Sequence, residues 1–262
     1  LWENTFFKEV NMRPLQTDLS IFNKFKFEKP PVGVKFLYFK PEGIKQLDKS
    51  LAFCEMIKEA QQRESPFYFA KENEDCFGKV SLGMEQMSSW GKGGEFGAAL
   101  EIFQEPRANA RIYQYVPKFP EDTVNYVAVS SLDKLTFEPD LLILVATPNQ
   151  AEFVLRAMSY STGEIWESKT TGVLGCAWIF VYPYQSGKIN YVPTGMTFCG
   201  KAFQRFPEGG ILITIPWDWI PIVTQNLKEM KWVLPSYTDG REKYVKRRDS
   251  CIRKLTQKSM NP

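Results

Sequence analysis

"FEPDLLILVATPNQAEFVLRAMSYSTG", residues 137–163, is the stretch that decides the fold class. Its first part, "FEPDLLILVATP", carries an unbroken apolar run bounded by prolines and reads as a buried strand. Its second part, "NQAEFVLRAMSYSTG", places Phe153, Val154, Ala157 and Met158 on one helical face and ends at Gly163, a natural C-cap. Strand, short polar turn and helix in that order is the grammar of α/β or α+β proteins.

Working outward, the same grammar continues. Upstream, "PPVGVKFLYF" (30–39) alternates Val32, Val34 and Phe36 behind two prolines and predicts a strand. "KQLDKSLAFCEMIKEAQQR" (45–63) sets Leu47, Leu51, Cys54 and Ile57 at helical spacing, and a further helix is expected around 15–24. "SPFYFAKENEDC" reads as a short strand entering a turn, and "NYVAVSSL" as another strand. Downstream, "GGILITIPWDWIPIVTQNLKEMKW" repeats strand then helix. The expectation is a single domain over 1–235 with a mixed β-sheet flanked by helices, followed by a basic helical tail over 236–262.

Composition bounds the function. A chain of 262 residues with a 44% hydrophobic and 24% charged share can bury a full core, and 20 Phe, 11 Tyr and 7 Trp supply rings to line it. No run of about 18 apolar residues is present, so no membrane span is expected. The first residues show neither a basic leader nor an apolar signal core, which makes the cytoplasm the expected compartment. Residues 241–262 hold eight Lys/Arg against Glu242 and Asp249. Val245, Ile252 and Leu255 fall near helical spacing there, which favours a surface helix with a solvated basic face over a nucleic-acid reader, since no reader motif accompanies the charge.

The sequence contains no histidine. Ser-His and Cys-His catalysis, His-ligated zinc and proximal-His haem are thereby excluded. Chemistry must rest on cysteine, carboxylates, lysine, tyrosine or a cofactor, and no pair of carboxylates is spaced to compel acid–base work. Glu55 and Lys35 are either buried polar groups or, as charged side chains usually are, turned to solvent.

Four cysteines form two pairs of similar separation: Cys54 and Cys76 lie 22 residues apart, Cys176 and Cys199 lie 23 apart. They read as buried packing, as disulfides or as metal ligands. A reducing cytoplasm disfavours disulfides, and free cysteine packs well as a small hydrophobe. Thiolates gathered from distant segments are what a [4Fe–4S] cluster or an all-cysteine zinc site needs, although the compact C-x2-C signature is missing. Glycines beside three of them, Gly78, Gly175 and Gly200, allow main-chain N–H groups to approach a cluster. Cys251, in the basic tail, reads as an incidental thiol.

Two further segments are candidate binding elements. "GKGGEFG", with Gly93 and Gly94 at its centre, precedes a helix-like stretch and is either a phosphate cradle or a packing hinge; the fixed frame of a P-loop is absent. Thr147, Asn149 and Gln150 end the buried strand, where ligands gather in such sheets, or else they cap the following helix.

Taken together, "KPPVGVKF", "FCEMIKEAQ…FYFAKENEDCFG…LGM", "FEPDLLILVATPNQAEFVLRAMSYSTG" and "GCAW…P…GK…N…G…CGKAF" resemble the uncharacterised prokaryotic ArCR family, domain of unknown function 169, over about residues 25–230. The resemblance brings no activity with it. It does imply that Cys54, Cys76, Cys176 and Cys199 belong to the shared pattern, and it implies an anaerobe's cytoplasm, where an oxygen-labile cluster survives. It also implies an arginine soon after the last cysteine; here Lys201 takes the near position and Arg205 lies farther on.

The expectation is a [4Fe–4S] protein for electron transfer or small-ligand binding, with a redox partner protein and with Phe53, Trp178 and Phe198 limiting solvent. The alternatives are a metal-free module binding a small molecule through Thr147, Asn149, Gln150, Gly93, Gly94 and Lys201, or a structural four-cysteine zinc site.

Overall fold

The structure is a computed structural model that describes residues 12–202 and 205–260, without the side chains at 199–200 and 258–260. Its strands are β1 (Val32–Leu37), β2 (Lys45–Gln46), β3 (Phe67–Phe69), β4 (Tyr126–Ser131), β5 (Leu141–Ala146), β6 (Asn190–Pro193) and β7 (Ile211–Pro216). The helices on the sheet are α1 (Phe53–Ala60), α6 (Pro148–Tyr160), α7 (Tyr182–Ser186) and α9 (Ile220–Glu229). Short helices α2 (Gly78–Ser81), α3 (Ser89–Lys92), α4 (Glu95–Ala99) and α5 (Pro106–Tyr113) fill the excursion between β3 and β4. α8 (Phe198–Ala202) follows β6, and α10 (Pro235–Thr238) and α11 (Arg241–Met260) close the chain.

The seven strands form one sheet in the order β2-β3-β4-β1-β5-β7-β6. Only the β2–β3 pair is parallel. β5 sits between β1, where Ile143 faces Val32, and β7, where Leu144 faces Ile213, and both neighbours run antiparallel to it. The unbroken apolar run is explained by this central place. Leu142, Leu144 and Ala146 point to a layer made by α6, α9 and the 3-10 turn Ser20–Phe25. Leu141 and Ile143 point to the opposite layer of α1 and the buried π-helical turn Ala177–Val181 that leads into α7. A strand covered on both faces has no place for alternating polar residues. The result is a helix-covered mixed sheet of α+β type.

Local chemistry sets the helix ends. Thr147 caps α6: its hydroxyl accepts the Gln150 N–H at 3.3 Å while the Gln150 side chain accepts the Thr147 N–H at 2.8 Å, with Pro148 at the first helical position. The buried Asn226 of α9 donates to the Ala157 carbonyl at 2.8 Å and to Ser161 Oγ at 2.7 Å, tying α9 to α6.

Some elements differ from the sequence reading. The helix expected over 45–63 covers only Phe53–Ala60, because Lys45–Gln46 join the sheet and Leu47 N–H donates to the Tyr68 carbonyl at 2.7 Å. The buried Asn73 amide then donates to the Leu47 and Lys49 carbonyls at 2.9 and 3.2 Å, holding that stretch in a non-helical path. The helix expected near 15–24 is the 3-10 turn Ser20–Phe25. Lys35 is mostly buried and pairs with Asp140 at 3.1 Å, whose other oxygen accepts the Phe36 N–H at 2.7 Å. The tail is helical as α11, with nearly all its described side chains exposed or half-exposed. No helix among the described residues is long and apolar enough to cross a membrane.

Candidate functional site

Three cysteines from three segments line one cavity. Cys54 stands in the first turn of α1, Cys76 lies in the turn between β3 and α2, and Cys176 caps the π-helical turn. All three border a largely apolar cavity of about 50 Å³, walled on other sides by Phe53 and Phe198. Gly175 permits the close approach here, since a Cβ at that position would stand 2.5 Å from the Thr197 methyl. Cys199 is in α8, next to the wall residue Phe198; its side chain lies outside the described residues. Trp178 is not a wall residue: its indole donates to Thr171 Oγ1 at 2.8 Å and its ring packs on Tyr182. Cys54, Cys176 and Cys251 are not disulfide-bonded, and Cys251 is exposed on α11.

Two charged residues complete the cavity. Glu74 is 2% exposed. Its carboxylate accepts the N–H groups of Phe53, Cys76 and Lys79, each at 3.0 Å, so one side chain ties together the starts of α1 and α2 and the cysteine turn. Burial pushes this carboxyl up to about 7, against the three N–H bonds that hold it down. Gly78 is required beside it, because a Cβ there would meet Glu74 Oε1 at 2.5 Å. Across the cavity, Arg205 donates from Nη1 to Cys54 Sγ at 2.7 Å and lies 3.4 Å from Glu55 Oε1 through Nε. Glu55 also accepts the Ala52 N–H at 3.0 Å, capping α1. Burial pushes the Cys54 thiol up to about 11, with Arg205 pulling the other way. Burial likewise raises Cys176, and the neighbouring Cys54 and Glu74 add to the effect.

The donor set can be weighed against the two metal groups. A single zinc ion needs its ligands to converge on one point about 2.3 Å from each sulfur. Among the described residues no three cysteine or carboxylate side chains do so. A cluster places one thiolate on each iron and spreads its ligands around an inorganic core. Cys54, Cys76 and Cys176 share the lining of one cavity and are each half-buried, with Arg205 and Glu74 as the charged residues beside them.

The family model of the uncharacterised ArCR proteins, domain of unknown function 169, matches residues 20–226. The chain belongs to the ArCR family. No curated protein and no solved structure matches it. The match takes in the whole sheet and every wall of the cysteine cavity, and it ends before α10 and α11 of this ArCR chain.

The other candidate residues fall elsewhere in the ArCR fold. Thr147 and Gln150 form the cap of α6, and the Gln150 amide also donates to the Phe25 carbonyl at 2.9 Å. Both border a broad groove on the far side of Arg205, as does Lys201, while Asn149 is exposed in the first turn of α6. Gly93 and Gly94 join α3 to α4. Gly94 has φ +84°, and a Cβ there would stand 2.0 Å from the Pro106 carbonyl oxygen and 2.6 Å from the Ala110 nitrogen. The glycine loop therefore packs main chain against main chain at α5. Gly94→Ala is expected to cost at least about 2 kcal/mol of unfolding free energy, from the left-handed φ and the overlap together. Chemical denaturation checks it, and a variant as stable as the parent would contradict the packing role.

The sequence reading missed Glu74 and gave Arg205 no partner. A signal for Glu74 does exist, in the "EDCFG" run that sets an acid two residues before a cysteine and four before a glycine. For Arg205 there is none, because Cys54 is 151 residues away.

Proposed function

We propose that this protein holds a [4Fe–4S] cluster at the cavity of Cys54, Cys76 and Cys176, with Cys199 as the fourth thiolate, and acts in electron transfer or in binding a small ligand beside the cluster. The observation that carries the reading is the meeting of three cysteines from separate segments on one enclosed wall. Such a cluster supplies one-electron chemistry when bound. The residues around it have separate tasks. Arg205 sets a fixed positive charge at Cys54, which favours the thiolate and raises the potential, and Glu74 opposes it with negative charge. Phe53 and Phe198 keep water from the sulfurs. Because Cys54 and Cys176 are protonated at neutral pH without metal, loading releases protons and weakens as pH falls. The same reading places the protein in an oxygen-poor cytoplasm with a redox partner protein.

Protein purified natively under anaerobic conditions is expected to be brown, with broad visible absorbance and matching iron and sulfide. Colourless protein without iron would overturn the reading, and one zinc per chain would replace it with a structural site.

A second reading is a metal-free binding module. It is favoured by the Arg205–Cys54 contact, which satisfies that sulfur without an ion. On this reading Cys→Ser changes lower stability modestly and leave ligand affinity in place.

A further inference from the structure

On the other side of Arg205 and Phe206, which wall both spaces, lies a groove of about 910 Å³. It opens at the carboxyl end of β5, between the corner after Ser20–Phe25, the last turn of α1 and the chain entering β7. That volume falls in the range of small-molecule sites. Its floor is apolar at Val145, Ala146 and Phe206, and its rim carries five cations, Lys26, Lys29, Lys58, Lys201 and Arg205, against two carboxylates, Glu28 and Glu208.

These cations come from three separate stretches of chain. Some lysines are held by carboxylates, as Lys35, Lys49 and Lys228 are at 2.8–3.1 Å. Among the described residues, Lys26, Lys29, Lys58 and Lys201 form no such pair. Like charges around a concavity repel in the free protein, and an anion seated among them relieves that repulsion. Lys26 adds a second observation. Its backbone is left-handed at φ +50°, a conformation that suits glycine, yet the position holds a lysine. The corner is pinned from both sides, by the Lys26 N–H on the Asn23 carbonyl at 3.3 Å and by the Gln150 amide on the Phe25 carbonyl at 2.9 Å. The cap of α6 thus holds a strained cation on the groove rim.

We infer that this groove binds a phosphate-bearing small molecule, with its anionic group among Lys26, Lys58 and Lys201 and its apolar body toward Phe206 at the edge of the cysteine cavity. A small molecule is favoured over an acidic protein because the cations surround a concave, apolar-floored space and do not form a flat patch. The inference concerns a site separate from the cysteines and stands or falls without the cluster.

The probe is inorganic pyrophosphate, titrated calorimetrically at low salt into the full chain prepared without added metal. A 1:1 complex with Kd of about 1 mM or tighter is expected, weaker as salt rises. Inorganic phosphate should bind less tightly. The double variant Lys58→Gln/Lys201→Gln is expected to lose about tenfold in affinity. Lys26→Gly should weaken binding while its melting temperature stays level or rises, a pair of results that loss of structure cannot produce. The inference is overturned if pyrophosphate gives no heat at about 10 mM, or if the variants bind as the parent does. Tighter binding of a polyglutamate peptide than of pyrophosphate would likewise overturn it and assign the groove to a protein partner. Since the titration needs no iron, its failure leaves the iron analysis untouched, and the reverse holds.

Discussion

Glu74→Gln is expected to lower the unfolding free energy by about 2–5 kcal/mol at about pH 5, because it puts an NH2 group in place of one of the two oxygens that three buried main-chain donors share. The N–H groups of Phe53, Cys76 and Lys79 all end on this carboxylate. An amide keeps one acceptor oxygen and turns an NH2 group toward the remaining donors, so at least one N–H is left buried without a partner. The pH dependence gives a sharper signature. Burial raises the folded carboxyl from its ordinary 4.5 to about 7. The folded state therefore holds its proton more tightly than the unfolded chain does. Its stabilising effect is complete below about pH 4.5 and is lost as pH climbs through about 7, a change on the order of 3 kcal/mol. Denaturant midpoints of the parent and of Glu74→Gln, measured at several values between pH 5 and 8, should draw closer as pH rises. A gap that stays constant across that window would refute the raised carboxyl.

Phe53→Ala is expected to cost about 3–5 kcal/mol. The ring is 1% exposed, lies nearly flat on Phe180 with centroids 3.7 Å apart, and meets the edge of Phe69 at 5.2 Å. Truncation leaves a void in the layer that α1 and the π-helical turn share, and dense surroundings close such voids only in part. For a chain of this size the loss corresponds to roughly 10 °C in melting temperature. Phe53→Leu should cost less, because most of the apolar volume stays. The void also joins the cysteine cavity, so iodoacetamide should label Cys54 faster in Phe53→Ala than in the parent. A loss under about 1 kcal/mol would show that the layer repacks freely.

Residues 137–163 carry the readable part of the fold. The buried strand, the capped helix and the covering of both sheet faces follow from one apolar run and from Thr147–Pro148–Gln150. Strand direction did not follow. A strand leading straight into a helix suggests a parallel crossover, yet after α6 the chain wanders through 161–176 and returns so that β7 lies antiparallel to β5. Local pattern carries no record of that return. The five apolar residues at 177–181 have no period to tell strand from helix, and only their place beneath the sheet makes them a π-helical turn. The same limit governs the site. Cysteines announce themselves by type, so Cys54, Cys76 and Cys176 could be named from the sequence. Arg205 reaches Cys54 across the fold, 151 residues away, and in the sequence it looks like an ordinary surface residue, while Glu74 is marked only by its place two residues before Cys76.

The high proton affinity of Cys54 and Cys176 has a practical result. Peroxide attacks the thiolate, and at neutral pH these two sulfurs hold almost none. The polypeptide should therefore survive handling in air without sulfenic or sulfinic damage at these two positions, whereas Cys251, out on its exposed helix, stays open to oxidants.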